Sequence, residues 1–544
     1  MISTQQVTLT FGKRVLFNEV SIAFSPGNCY GLIGANGAGK STFLKILSGE
    51  IDPTEGSVHV PPGKRVATLS QDHFAYDAYP VLETVIMGHS ELYSLIQERD
   101  SLYAKPDFSE KDGLRVAEVE HQLAELNVWE AESEAAILLS GLGIEEGDHH
   151  RSMSDLEGAQ KVRVLLAQAL FGNPDVLLMD EPTNHLDLDT VAWLEDFLYK
   201  FENTVIVVSH DRHFLNRVCT HMADLDFGRI TLYVGNYDFW FAASQLKLRQ
   251  MSDRNRKSEE KAAELKSFIA RFSSNASKAR QATSRKKLLD KLSIEDLPVS
   301  SRKPPYIIFK PERPCGKNIL QVEDLCKNIE GEQMLQDFNL SVSRGDKIAF
   351  VGGFDVMKTT LFKIITGELE ADKGEYHWGG TIKPLHFQKD NTEFFQGEES
   401  MISWLRQFTP DQEESFVRGF LGRMLFSGEE ALKSMKVLSG GEKVRCKLSR
   451  LMLLAGNVLV LDEPTNHLDL ESITSLNNAL IDFEGVLLFS SHDHQFVQTI
   501  ANRIIEITPN GIIDRYISFD DYLADEEVSA ERKRLYEGTS ALNY

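Results

Sequence analysis

The chain has 544 residues, 42% apolar, 26% charged and 9% aromatic, which suffices for two or more ordinary domains and excludes disordered, collagen-like and rod-like chains. No run of eighteen apolar residues occurs and the N-terminus MISTQQVTLTFGKR has no basic stretch leading into an apolar one, so neither a membrane span nor a signal peptide is read in it and a cytoplasmic location is expected. Lys and Arg number 58 against 81 Asp and Glu, a net charge of −23 that argues against a chain-wide surface for polyanions, and the 5 cysteines form no CxxC pair that would suggest a zinc site or a disulfide framework.

The first predicted element that carries chemistry is a strand over Tyr30 to Ile33. Directly after it Gly34, Gly37, Gly39, Lys40 and Ser41 satisfy GxxxxGK[ST], and an apolar-periodic helix follows. Glycines there let backbone N–H groups close around phosphate oxygens, Lys40 reaches the β and γ phosphates, and Ser41 is placed for Mg²⁺ at the helix N-terminus. Next, YSLIQERDSLYA and VAEVEHQLAELNVWEAESEAAILL carry apolar residues at three-and-four spacing, which predicts a helical hairpin within about 88–140. A second buried strand, Asp175 to Met179, ends at Asp180 and Glu181. Asp180 is suited to hold Mg²⁺ through water, and Glu181 to polarise an attacking water. The apolar run VIVVS then ends at His210, suited to contact a γ-phosphate.

From 236 to 297 there is neither Gly nor Pro, and Leu265, Phe268, Ile269 and Phe272 follow helical spacing, so two helices joined near SSNAS (273–277) are expected. Residues 245–292 hold 14 Lys or Arg against 5 Asp or Glu, a local +9 that leaves −32 for the rest of the chain. This segment is fit for a polyanion while the body is not. Pro298, Pro304, Pro305, Pro311 and Pro314 mark an extended connector.

A second copy then begins. GGFDVMKTTLFKIITGE (352–368) reads against GANGAGKSTFLKILSGE (34–50), strands are predicted over Ile348 to Val351 and Val458 to Leu461, and DEPTNHLDL (180–188) recurs letter for letter at 462–470. The offset between copies falls from 317 at Gln71 and Gln388 to 282 at Asp180 and Asp462, so about 35 extra residues lie in the first copy. The expected fold is α/β: two P-loop domains in tandem, each on a largely parallel sheet, joined by an α-helical hairpin.

These motifs resemble those of ATP-binding cassette proteins: LSGGEK (438–443) is similar to the signature motif, and Gln71, Gln388, the DEPTNHLD blocks, His210 and His492 match the other cassette elements. Two cassettes, the insertion, and a linker resembling FxxRFxxxAxKAxQxxSR point to the ABC-F class of translation factors. The resemblance implies cassettes at 1–240 (with the insertion) and 316–525, a basic hairpin linker at 241–315 and a short tail at 526–544, and head-to-tail pairing of the cassettes within a monomer. It implies ATP and Mg²⁺ as cofactors. The complete site would comprise Phe11, Gly34, Asn36, Gly37, Gly39, Lys40, Ser41 and Thr42 for ATP, with Ser439, Gly440 and Gly441 from the other cassette. Glu181, His210 and Gln71 would be catalytic, and Ser41, Gln71 and Asp180 would hold the metal. The implied partner is the ribosome (ribosomal RNA, peptidyl-tRNA and the L1 region), met in the exit site through Arg271, Lys278, Arg280, Arg285, Lys286 and Lys287.

The second site departs from this pattern. Asp355 and Met357 stand where the first loop has Gly37 and Gly39, Ile329 replaces an adenine-stacking aromatic, and Glu157 in LEGAQK replaces the signature serine. Lys358, Thr359, Thr360, Gln388, Asp462, Glu463 and His492 remain. An asymmetric ATPase is expected, with one complete and one degenerate site. The alternatives are an ATPase subunit of a transporter and a ribosome-protecting resistance factor, the latter disfavoured by the short hairpin turn.

Overall fold

The inner strands of both halves are continuous apolar runs, which can be satisfied only by a sheet covered on both faces. In the computed structural model the strands of the first half lie in the order Val66–Thr68, Val176–Asp180, Thr204–Val208, Cys29–Gly34, His221–Asp226 and Arg229–Val234. All pair in parallel except the last. The second half repeats this order with Pro384–Phe387, Val458–Asp462, Val486–Ser490, Lys347–Val351, Arg503–Thr508 and Gly511–Arg515. The structure describes residues 1–544 except 13, 36, 70, 71, 73, 185, 187, 227, 273–283, 285–301, 303, 330, 390–394, 410–412, 427 and 537–544.

Alternation along one strand shows how both faces are buried. Leu177 and Met179 point into a core shared with helices, including Gly158–Leu170, while Val176 and Leu178 join Phe17, Phe43 and Leu47 on the opposite face. That second face is closed by a three-stranded antiparallel sheet, Arg14–Phe24, Ile2–Phe11 and Glu55–His59, whose counterpart is Glu332–Val342, Leu320–Ile329 and Lys373–Trp378. These sheets were absent from the sequence reading, because their strands carry register shifts that interrupt the period-two pattern.

The insertion forms three helices, Ser90–Tyr103, Glu110–Glu125 and Val128–Gly141, the second opened by a capping box at Ser109. A helix spanning Tyr237–Phe272 leaves the first half, rooted by buried Tyr237 and Trp240. Residues 304–315 then run extended along the second half, where Ile307 and Phe309 are buried and Glu312 N donates to the Ala455 carbonyl at 3.0 Å.

The halves meet at equivalent helices, Arg212–Val218 and His494–Ile500. His213 stacks on His494 with ring centroids 4.1 Å apart, and Arg212 donates to the Leu470 carbonyl at 3.2 Å and to the Thr474 hydroxyl.

Candidate nucleotide sites

In the first half the strand Cys29–Gly34 delivers its last residue under the loop, and the helix Lys40–Ser48 begins behind Gly39, whose φ of 105° is open to glycine but strained for side chains. A Cβ at Gly39 would stand 2.9 Å from Phe17, and one at Gly34 would stand 2.7 Å from the Leu225 carbonyl oxygen, so the tight loop requires both glycines. Lys40 is buried and its Nζ donates to the carbonyls of Gly34 at 2.8 Å and Ala35 at 3.4 Å. Burial lowers its affinity for a proton, against the pull of Glu181, Asp469, Glu471 and Asp180.

Asp180 ends its parallel strand beside this loop, and Glu181 follows in a left-handed backbone, φ 52°, rare for a residue with a side chain and characteristic of functional sites. Glu181 Oε2 accepts from the His210 backbone N at 3.2 Å, and Oε1 lies 3.5 Å from His210 Nε2. Oε1 and His210 Nδ1 are buried without a hydrogen-bond partner among the described residues. An orphaned acceptor aimed into a phosphate cradle fits a carboxylate that waits for a water. Burial, then the neighbouring Asp180, pushes Glu181 up to about 8, while burial and nearby Lys40 pull His210 down to about 3.

The structure brings Gly34, Gly37, Gly39, Lys40, Ser41, Thr42, Asp180, Glu181 and His210 to one end of the first sheet. Asn36, Gln71, Lys278, Arg280, Arg285, Lys286 and Lys287 lie outside the described residues, as do the side chains of Phe11 and Arg271. Ser439 caps the helix Gly440–Leu454, its hydroxyl accepting from Glu442 N at 3.4 Å. Gly440 packs against His467, and its Cβ would stand 3.1 Å from that ring, so the signature and the second DEPTNHLD block form one edge of the second half. From that edge Asp469 and Glu471 act on Lys40, two residues the sequence reading passed over because their role exists only across the halves. Glu157 caps the matching helix Gly158–Leu170 with its backbone N donating to Gln160 Oε1 at 3.2 Å.

In the second half Glu463 repeats the left-handed backbone, φ 48°, and its Oε2 accepts from His492 N at 3.3 Å. Thr359, the counterpart of Ser41, donates to Asp462 Oδ2 at 2.7 Å, and Gln388 offers its carbonyl to Lys447. Asp355, at the position of Gly37, has Lys358 Nζ 2.8 Å from Oδ1, with Lys389 Nζ at 2.7 Å and His492 Nε2 at 3.2 Å from Oδ2. Burial disfavours the Asp355 charge, but Lys358, His492 and Lys389 hold its carboxyl well below the usual range. The sequence marks Asp355 as a departure from the loop pattern but does not single out Lys389.

Among the described residues no helix is long and apolar enough to cross a membrane. The family model described as ABC transporter matches residues 17–184 and again 335–466, and a second model of that description matches 223–309. The chain is 62% identical over 538 residues to the ABC transporter ATP-binding protein YkpA of Bacillus subtilis (strain 168), covering 98% of this chain and 100% of that one. It is 46% identical over 530 residues to the probable ATP-binding protein YbiT of Escherichia coli O157:H7, covering 97% and 100%. Among solved structures it shares its fold with the archaeal ribosome recycling factor aABCE1, crystallised with the ribosomal stalk protein aP1, at a TM-score of 0.61 and 17% identity over 96% of this chain and 92% of that one. The chain belongs to the ATP-binding cassette family and is an ATPase with two cassettes in tandem, the arrangement of an ABC-F type protein.

Proposed function

We propose that this ATPase is a translation factor that binds the ribosome while ATP holds its cassettes together and leaves after hydrolysis at the first site. The observation that carries this reading is the charge distribution: a +9 segment set between two cassettes in a chain whose remainder is −32. A polyanion is the partner such a segment suits, and the acidic remainder of the chain does not suit one. Glu181, left with an orphaned oxygen and a raised proton affinity, takes the proton of the attacking water, and His210 and Lys40 orient the terminal phosphate. Ser41, Asp180 and Gln71 would hold Mg²⁺, which would supply charge neutralisation on the phosphates. Ser439, Gly440 and Gly441 close over the nucleotide from the second cassette, so opening and closing alter the surface that both cassettes present. The name of the Bacillus subtilis relative, an ABC transporter ATP-binding protein, favours a second reading, an ATPase subunit of a transporter, in which the basic segment has no role.

The test is co-sedimentation with ribosomes of the Glu181→Gln protein in ATP, beside an ADP control and a variant with Arg271, Lys278, Arg280 and Arg285 neutralised. Trapping that requires both ATP and the basic residues is expected. Sedimentation indifferent to either would turn the assignment toward the transporter reading.

A further inference from the structure

The two phosphate loops end differently. In the first, the helix starts at Lys40; in the second it starts at Asp355, so the three residues before Lys358 are wound into its first turn. Met357 turns inward, buried in the core with Phe350 and Leu361, and leaves the Asp355 carboxylate at the mouth of the loop. Three groups hold that carboxylate: Lys358, Lys389 and His492, at 2.7 to 3.2 Å. Two of them, the loop lysine and the histidine after the apolar strand, are the counterparts of Lys40 and His210, the groups assigned above to phosphate. Lys358 keeps the loop-carbonyl bond that Lys40 makes, donating to Gly352 at 2.9 Å as Lys40 does to Gly34 at 2.8 Å, and what the second cassette adds is the aspartate.

Sequence register supplies an independent observation. Asp355 stands where the first copy has Gly37, and Lys389, which follows Gln388, stands where the first copy has Asp72 after Gln71. An acid has entered the loop and a base has replaced an acid on the segment facing it, so the pair is matched. His492 responds to the same charge: burial works against its protonation, but Glu463 and Asp355 raise it above the ordinary value, opposite to His210. Phe354 stacks on Tyr536 of the last described helix at 6.0 Å, which braces the altered turn from outside.

We infer that the Asp355 carboxylate is a built-in anion that occupies the terminal-phosphate position of the second site, so that the chain takes up a single nucleotide, at the first site. This rests on the reading of the first site as the one that binds ATP. Asp355, Glu463 and His492 also place ligand atoms within 4.8 Å of one another, as a cation site would. Two ammonium groups on the same aspartate repel a cation, and the anion reading uses them both.

Equilibrium dialysis with Mg·ATPγS tests the stoichiometry, with one equivalent expected per chain and none after Lys40→Ala. Two equivalents in the unaltered protein, or one that survives Lys40→Ala, would overturn the inference. Calorimetry with pyrophosphate in the Lys40→Ala background tests Asp355 itself. Replacing it by Ala frees Lys358, Lys389 and His492, and affinity for pyrophosphate is expected to rise at least tenfold; unchanged affinity defeats the assignment. Asp355→Asn, nearly the same shape, serves as the second variant should the alanine protein fail to fold. A chain that binds no nucleotide at all would sink the reading of the first site, while the pyrophosphate arm, which does not use that site, still decides on Asp355.

Discussion

Glu181 and Glu463 stand in identical nonapeptides and share a left-handed backbone, yet the second site adds the Asp355 carboxylate and the Lys389 ammonium to its surroundings. Beside Glu181 burial and Lys40 lower the histidine's affinity for a proton; beside Glu463, against the opposing effect of burial, Glu463 and Asp355 raise it. A pH profile follows for the first site. A general base works only as its anion, and Glu181 is pushed up to about 8 chiefly by burial, so its active form is lost as pH falls through that value. kcat/KM, which reports the free protein, should therefore rise about tenfold between pH 7 and 9. An ordinary glutamate would leave it flat there, and a flat profile would show that Glu181 is not the base. Glu181→Gln should lower turnover by roughly 100-fold or more, whereas Glu463→Gln should leave it unchanged. The loop and both glutamates were legible in the sequence because their chemistry is packed into contiguous residues. Lys389 was not, since its meaning depends on Asp355, distant in the chain, and on a charge exchange visible only when the copies are laid over each other.

At the level of elements, the C-terminal helix shows how a repeat can hide. At the offset of 282, Asp224 corresponds to Glu506 and Trp240 to Tyr522. In the first half Trp240 Nε1 donates to Asp224 Oδ2 at 3.0 Å, and in the second the Tyr522 hydroxyl donates to Glu506 Oε2 at 2.6 Å. The carboxylate on the sheet and the aromatic on the following helix are thus retained, although the residue types changed. The final helix, Glu526–Tyr536, within the segment expected as a short tail, adds Arg532 Nε and the Tyr536 hydroxyl to Glu506 at 3.0 and 2.9 Å. Glu506 is only 1% exposed, so Glu506→Ala removes the buried acceptor shared by a guanidinium and two hydroxyls. We expect a loss of roughly 3 kcal/mol, reduced from the fully buried case because Arg532 keeps some contact with water. Denaturant unfolding followed by circular dichroism checks it, and a loss below about 1 kcal/mol would mean that the network contributes no more than surface pairs do.

Across the whole molecule, the duplication was plain from the repeated nonapeptide, but the joint between the halves was not, because the residues that make it are far apart in sequence and unremarkable alone. Arg302 is the clearest case. Its Nη2 lies 2.5 Å from Asp224 on the first sheet, its Nε 3.6 Å from Glu471 at the start of a helix in the second half, and its guanidinium stands 4.7 Å over the ring of Trp240. One side chain therefore ties the first cassette, the root of the linker helix and the second cassette together, and it does so where Glu471 also acts on Lys40. Both carboxylates are already pushed up by burial, Asp224 and Glu471 alike, and Arg302 is the group that offsets this. Arg302→Ala removes the cation from two mostly buried carboxylates, leaving Asp224 only its bond from Trp240, and its cost falls on the joint rather than on either core. Scanning calorimetry should then resolve two transitions where the unaltered chain gives one, and added ATP should raise the first transition less than in the unaltered chain, since closure across Lys40 no longer has an aligned second cassette. A Glu471→Gln partner mutation restores part of the loss by removing one stranded charge, so the double variant should melt above Arg302→Ala alone. Additive losses in the two variants would show that Arg302 acts within the first half and does not couple the cassettes.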